Sequence, residues 1–318
     1  MKIVILDGFT AVRNDLNWDM LNEFGEVIAY DRTSPNQTAE RCADAEIVLT
    51  NKVIMNADII NALPKLKYIG VLATGYNVVD LEATKQRGIV VTNIPAYSTD
   101  SVAQLIFAHL LNVVHRIDYY TNENHNGRWS KEIDVNYLDH SPCELAGKQI
   151  AFIGLGNIGM TAIRIAQAFG MKPVVVTSRP ESDMPENVRK VSYEEAFSTS
   201  DIISLTCPLN EKTKHLINEK TLNMMQPHAI VINTSRGPIV DDNAMAEALK
   251  SGKIAAFCTD VLTQEPPVDG NPLFGAPNCY ITPHVAWATF EARKRLVNIC
   301  ADNVRAFING TPKNVVMS

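Results

Sequence analysis

The feature of this chain that most constrains its fold is a glycine-rich turn, Gly154-Leu155-Gly156-Asn157-Ile158-Gly159. A short strand-like run, Gln149 to Ile153, precedes it, and Thr161 to Phe169 follows it with apolar residues at helical spacing. In such a unit the first glycine permits a tight turn, the second lets the backbone approach a pyrophosphate, and the third allows close helix packing. The turn therefore predicts a dinucleotide site at a helix N-terminus. Its predicted cofactor-binding residues are Gly154, Gly156, Asn157, Ile158 and Gly159.

Short apolar runs occur in two sets along the 318 residues, a length that suits two domains. The first set comprises Lys2 to Leu6, Val27 to Tyr30, Ile47 to Thr50, Tyr68 to Leu72 and Val90 to Thr92. The second set begins near Gln149, and both alternate with helix-like or polar segments. This order predicts an α/β protein with two doubly wound parallel sheets flanked by helices.

A long amphipathic helix is predicted between the two sets. Ser101 and Gln104 form a capping-box pattern in front of a stretch that runs to about Arg116. The apolar face of this helix is predicted to serve packing, through Leu105, Ala108 and Leu111.

Three polar residues, Arg236, Glu265 and His284, follow strand-like runs in the second half of the chain. The runs Ala229 to Asn233 and Cys279 to Ile281 lead into Arg236 and His284, and the chain reaches Glu265 shortly after a third run. Parallel strands deliver the residues at their carboxyl ends to one crevice. A guanidinium can grip a carboxylate at two points, and a histidine backed by a glutamate keeps a stabilised charged form that can donate a proton.

Each of these residues also has a structural interpretation. His284 could be a satisfied histidine in a proline-containing turn, Glu265 a surface carboxylate, and Arg236 a partner for Asp241 or Asp242. Asp260, which follows the run Ala255 to Phe257, could equally be a helix cap.

The segment after the predicted strand Val174 to Thr177 bears on cofactor choice. An acid is expected there to bind the ribose hydroxyl of NAD, but the chain has Ser178 and Arg179 instead. A hydroxyl and a guanidinium suit a 2′-phosphate, whereas an exposed arginine could also stack on adenine or do nothing. The cofactor is therefore predicted to be NAD(P), with NADP(H) favoured.

Composition excludes several classes of partner. The net charge is −6 and the chain has no Lys/Arg run, which disfavours a nucleic-acid surface. The start of the chain reaches Asp7 too soon for a secretory segment, and no apolar run is long enough to cross a membrane. Six scattered cysteines and seven histidines lack metal-ligand spacing. These features predict a cytoplasmic protein with reduced thiols and no bound metal.

Six ordered motifs give the chain a clear family resemblance. They are Leu72-Ala73-Thr74-Gly75-Tyr76-Asn77-Val78-Val79-Asp80, the Gly154 to Gly159 turn, Cys207-Pro208-Leu209 with Thr213, Asn233-Thr234-Ser235-Arg236-Gly237, Asp260-Val261 leading to Glu265-Pro266, and Pro283-His284. The chain resembles the D-isomer-specific 2-hydroxyacid dehydrogenases over essentially its whole length. Within that family, Asn93 to Thr99 and His284 to Thr289 look most like the glycerate dehydrogenase (hydroxypyruvate reductase) group.

The resemblance implies a domain organisation and a set of site residues. A Rossmann cofactor domain, residues 101–288, is inserted in a flavodoxin-like substrate domain, residues 1–100 and 289–318. His284 would donate the proton, Glu265 would orient its ring, and Arg236 with the amides around Thr74 and Gly75 would bind the substrate carboxylate. Further cofactor contacts would come from Cys207, Pro208, Thr213, Thr234, Ser235 and Asp260.

The implied reaction is hydride transfer between a nicotinamide dinucleotide and a small D-2-hydroxy or 2-oxo acid, most specifically hydroxypyruvate and D-glycerate. Lys52, after a strand of the substrate domain, is a candidate partner for the substrate hydroxyl, although a solvated lysine is the commoner case. The alternatives are a D-lactate or glyoxylate-type reductase and a dinucleotide-sensing protein like the corepressors that share this fold. A homodimer is implied by the resemblance.

Overall fold

A computed structural model describes residues 1–316 of the chain. The chain forms two compact units, and the second is inserted in sequence between the two segments of the first. Of the described residues, the first unit contains Met1–Ser98 and residues 287–316, and the second contains Thr99–Ala286. Among the described residues, no helix combines the length and the apolar character needed to cross a membrane.

The first unit is a five-stranded sheet with helices on its faces. Its strands are β1 (Lys2–Ile5), β2 (Glu26–Ala29), β3 (Ile47–Thr50), β4 (Tyr68–Val71) and β5 (Val90–Thr92). Its helices are α1 (Thr38–Cys42), α2 (Ala57–Asn61), α3 (Leu81–Gln86) and α10 (Phe290–Ile308). The strand order is β2-β1-β3-β4-β5 and every strand pair is parallel, which is the flavodoxin-like arrangement.

The second unit is a seven-stranded parallel sheet. Its strands are β6 (Gln149–Ile153), β7 (Lys172–Val176), β8 (Arg189–Lys190), β9 (Ile202–Leu205), β10 (Ile230–Asn233), β11 (Ala256–Thr259) and β12 (Cys279–Ile281). Its helices are α4 (Thr99–His115), α5 (Ile117–His125), α6 (Asn157–Ala168), α7 (Tyr193–Thr199), α8 (Glu219–Met224) and α9 (Asp242–Lys250). The order β12-β11-β10-β9-β6-β7-β8 is that of a Rossmann sheet. The predicted fold class, with two doubly wound parallel sheets, is confirmed.

The central strands form where they do because they are buried on both sides. Along β6, Ala151 and Ile153 pack into one apolar cluster, while Ile150 and Phe152 pack into another. Successive side chains of a strand point to opposite faces, so a central parallel strand reads as an uninterrupted apolar run.

Two strands of the second unit were not predicted from the sequence. β9 lies next to β6 at the centre of the sheet, and its run is only four residues long with one serine. β8 consists of Arg189 and Lys190 alone, so it has no apolar pattern to detect. The helix after the glycine turn also begins earlier than expected, at Asn157, which puts Gly159 in its first turn.

The prediction for α4 was wrong in two respects. The helix begins at Thr99, so Ser101 lies inside it, where its Oγ donates to the carbonyl of Ala286 rather than capping the helix. The predicted packing face is also the less buried one, because Ala108 is exposed and Leu105 and Leu111 are only partly buried. The buried face contains Ala103, Ile106, Phe107, His109, Leu110 and Val114.

Candidate active site

The glycine turn follows β6 at the switch point of the second sheet, where the strand order reverses between β6 and β9. Gly154 has a φ of +109°, and a Cβ there would lie 2.8 Å from the Cα of Cys207. A Cβ at Gly159 would lie 2.7 Å from the carbonyl oxygen of Gly154, whereas one at Gly156 would meet no atom within 4 Å. The first and third glycines therefore serve the turn and the helix packing, and the second leaves open space beside the backbone.

The N-terminus of α6 opens onto this turn. Gly156 is its N-cap residue and provides no side-chain cap, so no side-chain oxygen of that residue accepts from the first amides of the helix. Free amides at a helix N-terminus and an open backbone approach fit a pyrophosphate. The turn thus fits the dinucleotide that its sequence predicts.

Thr206 stabilises the turn and was missed by sequence reasoning. Its hydroxyl donates to the carbonyl of Gly154 at 2.8 Å, and it follows β9, the neighbour of β6. The signal that would have found it is a hydroxyl residue directly after a central strand, but β9 itself was not predicted.

Several of the other predicted cofactor contacts lie on the segment that begins at Cys207 or on the segment that is hydrogen-bonded to it. The Oγ of Ser235 donates to the carbonyl of Cys207. Thr234, the residue before Ser235, is buried. Burial raises the pKa of the Cys207 thiol to about 11, so it stays protonated at neutral pH. Thr213 closes the loop after Cys207, because its Oγ1 donates to the carbonyl of Pro208 at 2.7 Å.

Ser178 and Arg179 are both exposed after β7. The side chain of Arg179 has no hydrogen bond or ion pair within residues 1–316. The Nζ of Lys190 donates to the backbone carbonyl of Arg179 at 2.7 Å. Lys190 belongs to the unpredicted strand β8, and it adds a second cation to this loop.

His284 and Glu265 form a direct pair. The Nδ1 atom of His284 lies 2.6 Å from Oε2 of Glu265, and each side chain is about one third exposed, at 32% and 33%. A carboxylate can only accept, so Nδ1 carries the shared proton. No hydrogen-bond partner of Nε2 occurs among residues 1–316, and this leaves Nε2 for an external oxygen.

Arg236 is linked to this pair through Leu262. The other carboxylate oxygen of Glu265, Oε1, accepts from the backbone amide of Leu262 at 2.9 Å. A Cβ at Gly237 would overlap the carbonyl group of Leu262, so only glycine lets the backbone after Arg236 pass this close. One backbone contact therefore joins the segment that carries Arg236 to the residue that anchors Glu265.

The arginine itself is exposed and available. Its Nη1 donates only to the neighbouring carbonyl of Ser235, at 2.8 Å, and it forms no ion pair within the described part of the chain. Asp241 instead caps α9, with its carboxylate accepting from the amides of Asn243 and Ala244. The alternative in which Arg236 pairs with Asp241 or Asp242 is not realised.

Asp260 organises the loop that carries His284. It is 1% exposed; its Oδ1 accepts from Thr282 Oγ1 at 2.6 Å and the amide of Val285 at 2.9 Å, and its Oδ2 accepts from the amide of Ala286 at 2.8 Å. Its backbone carbonyl accepts from the amide of His284 at 2.8 Å. The alternative in which Asp260 caps a helix is wrong, since it binds a loop instead. Within that loop His284 has a left-handed backbone, with φ of +52°.

The predicted substrate-binding residues lie in the first unit, after β3 and β4. The Lys52 side chain is exposed, and its backbone amide donates to Oδ2 of Asp7 at 2.6 Å, while the Asn51 amide donates to Oδ1 at 2.8 Å. Thr74 donates through Oγ1 to the carbonyl of Ile94 at 3.0 Å, and Gly75 is partly exposed.

Asp7 was missed by sequence reasoning. It follows β1, and β1 and β3 flank the switch point of the first sheet. Burial raises the pKa of Asp7, whereas the amide hydrogen bonds from Asn51 and Lys52 lower it. A buried acid therefore fixes the backbone that presents Lys52.

No group of three or more His, Cys, Asp or Glu side chains within residues 1–316 is arranged to hold a metal ion. The six cysteines are free thiols; Cys143 is exposed, Cys279 is partly buried, and the rest are buried.

Comparison with known proteins assigns this chain to a family. The model of the family described as D-isomer specific 2-hydroxyacid dehydrogenase, NAD binding domain, matches residues 107–286. A hydroxypyruvate reductase of Blautia hydrogenotrophica is 43% identical over 99% of both chains. A glycerate dehydrogenase of Methylorubrum extorquens is 38% identical over 99% of this chain and 98% of its own. A glyoxylate reductase of Thermococcus litoralis is 40% identical over 87% of this chain and 84% of its own.

Two solved structures are similar to this chain over its whole length. An acyclic imino acid reductase in complex with NADPH and D-Arg has a TM-score of 0.86 at 29% identity, and it covers 100% of both chains. A D-lactate dehydrogenase with NAD⁺ from Lactobacillus jensenii has a TM-score of 0.85 at 25% identity, again over 100% of both chains.

The parallel α/β fold, the glycine turn and the relatives together place this chain in the class of nicotinamide-dependent oxidoreductases. The chain belongs to the D-isomer specific 2-hydroxyacid dehydrogenase family, close to the glycerate dehydrogenases and hydroxypyruvate reductases.

Proposed function

We propose that this protein reduces hydroxypyruvate to D-glycerate with NADH or NADPH, and catalyses the reverse oxidation. The observation that carries the proposal is the His284–Glu265 pair, with Nδ1 held at 2.6 Å and Nε2 facing no protein partner among the described residues. Two relatives that align with 99% of this chain are a hydroxypyruvate reductase and a glycerate dehydrogenase, which supports this substrate over others.

Each part of the reaction is assigned to particular residues of the chain. The nicotinamide dinucleotide, when bound at residues 154–159 of the second unit, supplies the hydride. Arg236 binds the substrate carboxylate through two parallel hydrogen bonds and so orients the carbonyl group. His284 donates the proton on Nε2 to the carbonyl oxygen as negative charge develops there. Glu265 holds Nδ1 and stabilises the protonated ring before transfer.

The substrate is tested by steady-state kinetics on hydroxypyruvate, pyruvate and glyoxylate. We expect the highest kcat/KM for hydroxypyruvate, because a site that hydrogen-bonds a hydroxyl group strongly rejects analogues that lack it. Lys52→Met should lower the ratio of kcat/KM for hydroxypyruvate to kcat/KM for pyruvate about tenfold, because a charge-assisted hydrogen bond contributes about 1.5 kcal/mol or more.

Lys85→Met is the matched control for Lys52→Met. Lys85 is another exposed lysine of the first unit, on α3, and its replacement should leave the preference unchanged. If pyruvate or glyoxylate is the best substrate of the unmodified enzyme, the proposed substrate is wrong. If Lys52→Met leaves the ratio unchanged, Lys52 does not bind the hydroxyl group.

We also propose that NADP(H) is the preferred cofactor. Arg179 is exposed without a side-chain partner in the described chain, and the Lys190 ammonium lies against its backbone, so two cations surround the place expected for a 2′-phosphate. Arg179→Ala should raise KM for NADPH by about 10- to 150-fold, which corresponds to about 1.5 to 3 kcal/mol, and should change KM for NADH much less.

The control for Arg179→Ala is Arg164→Ala. Arg164 is exposed on α6 and donates to Thr161 Oγ1, outside the Ser178–Arg179 loop. If Arg179→Ala raises KM equally for NADPH and NADH, Arg179 does not bind the 2′-phosphate. Stacking of its side chain on the adenine would then be the remaining role.

A sensing role like that of the related corepressors is the alternative from a different class. It is disfavoured by the His284–Glu265 pair, because a protein that only senses a dinucleotide needs no aligned proton donor. A protein that binds NAD(P)H and turns over none of the three acids would support the sensor.

We further propose that the protein forms a homodimer through the second unit. Trp129, Ile133, Val135 and Leu138 follow α5 and expose 53%, 101%, 89% and 68% of their surfaces, which is unusual for such large apolar side chains. Sedimentation equilibrium is expected to give a dimer, and Ile133→Glu should shift it toward the monomer. A monomeric wild-type protein would overturn this proposal.

A further inference from the structure

A buried histidine on α4 is hydrogen-bonded to the loop that carries His284. His109 is 6% exposed, and its Nε2 lies 3.2 Å from Oγ1 of Thr282. Its helical neighbours Ile106 and Leu110 are fully buried in the apolar cluster beneath the sheet. Polar groups in such surroundings persist when they are hydrogen-bonded, so the contact with Thr282 explains how the ring is accommodated.

The directions of the hydrogen bonds follow from the donor count. Thr282 has one hydroxyl proton and donates it to Oδ1 of Asp260 at 2.6 Å, because the carboxylate can only accept. The oxygen of Thr282 must therefore accept from His109, which assigns the imidazole proton to Nε2. Burial lowers the pKa of His109, although the negative charge of Asp260 opposes this, and the ring is accordingly neutral.

Asp260 connects the Thr282 hydroxyl to the backbone around His284. Its carboxylate accepts from the amides of Val285 and Ala286, the two residues that follow His284, and its carbonyl accepts from the amide of His284 itself. His284 has a left-handed backbone, which is uncommon for a non-glycine residue, and these hydrogen bonds help to hold it there. The direction of its imidazole therefore depends on where the Asp260 carboxylate lies.

We propose that His109 is a positioning residue of the reaction, acting through Thr282 and Asp260 on the backbone of His284. By donating to Thr282, it orients the single hydroxyl proton toward Asp260 and holds that carboxylate against the two amides. Without the donor, the Thr282 hydroxyl can rotate and the Asp260 carboxylate loses a fixed partner. This inference rests on the role proposed for His284.

The first test compares His109→Leu with His109→Gln. Leucine removes the donor, whereas glutamine keeps an amide N–H at a similar distance from the backbone. We expect His109→Leu to lower kcat about tenfold, with the Kd for NAD(P)H, measured by fluorescence titration, within twofold of wild type. His109→Gln should recover most of kcat. The substrate is whichever 2-oxo acid the wild-type enzyme reduces best, so the test does not depend on hydroxypyruvate.

The second test changes the other end of the contact. Thr282→Val should lower kcat like His109→Leu, and Thr282→Ser, which keeps the hydroxyl, should not. In the double variant with His109→Leu and Thr282→Val the two losses should not multiply, because both break one chain of hydrogen bonds.

A merely structural role for His109 predicts a different pattern. His109→Leu would then lower the thermal midpoint but keep a wild-type kcat below that midpoint, or His109→Gln would be no better than His109→Leu, and either result overturns the proposal. His284→Ala, measured in parallel, separates the two hypotheses. If it turns over normally, the proposed role of His284 fails; if it is inactive while His109→Leu is fully active, only the positioning role fails.

Discussion

Replacing His284 with alanine is expected to lower kcat by about 10² to 10⁴-fold, the usual contribution of a general acid. The physical reason is the lost proton at Nε2, which faces no protein partner among the described residues while Nδ1 is held at 2.6 Å by Glu265. Binding of NAD(P)H, followed by fluorescence titration, should change little, because the glycine turn lies elsewhere in the second unit. Single-turnover reduction of a 2-oxo acid measures the loss directly.

Two further variants make this result interpretable. His284→Asn keeps a residue that tolerates the left-handed backbone but has no titratable proton, and it should be as inactive as alanine. His228→Ala removes another histidine paired with a carboxylate, at 3.0 Å from Asp201 on the surface, and should retain full activity. Turnover by His284→Ala close to wild type would mean that another group donates the proton.

Replacing Arg236 with lysine is the second large effect that we expect. An ammonium cannot reproduce the planar two-point grip of a guanidinium on a carboxylate, and the chain offers Arg236 without any competing ion pair in its described residues. The loss in kcat/KM should be about 10- to 150-fold, corresponding to about 1.5 to 3 kcal/mol.

Arg305→Lys provides the matched control, because Arg305 lies on α10 in an exposed ion pair with Glu23 and should be replaceable without loss. Initial rates over a range of 2-oxo acid concentrations distinguish the two variants. Near-wild-type efficiency of Arg236→Lys on every 2-oxo acid tested would remove Arg236 from the site.

Much of the fold could be predicted from the sequence because central parallel strands are buried on both sides. The central strands Ile47–Thr50 and Gln149–Ile153 have the bounds that their apolar runs predict. The edge strands Val90–Thr92 and Cys279–Ile281 do so as well, because each still carries an apolar run. β8 could not be found, because two charged residues at a sheet edge have no burial pattern. The face of α4 was mispredicted because apolar residues recur at helical spacing on both of its faces, and periodicity alone does not show which face is buried.

The residues of the candidate site likewise include some that the sequence reveals and some that it does not. Arg236, Glu265 and His284 could be proposed because each carries its chemistry in a recognisable motif, and the structure brings Glu265 and His284 into contact. Thr206 and Asp7 could not, because their significance lies in partners 52 and 44 residues away along the chain. Such a hydrogen bond can be anticipated only once the strands on either side of it have been paired, and local sequence does not show which strands pair.

The left-handed backbone at position 284 also limits how this protein can change under selection. With φ at +52°, the position admits glycine, asparagine, aspartate and histidine readily, and branched side chains poorly. Of these four residues only histidine and aspartate carry a titratable proton, and aspartate would face the carboxylate of Glu265. In a library randomised at codon 284, we therefore expect the functional survivors to encode histidine, since it alone satisfies the backbone and the neighbouring charge together.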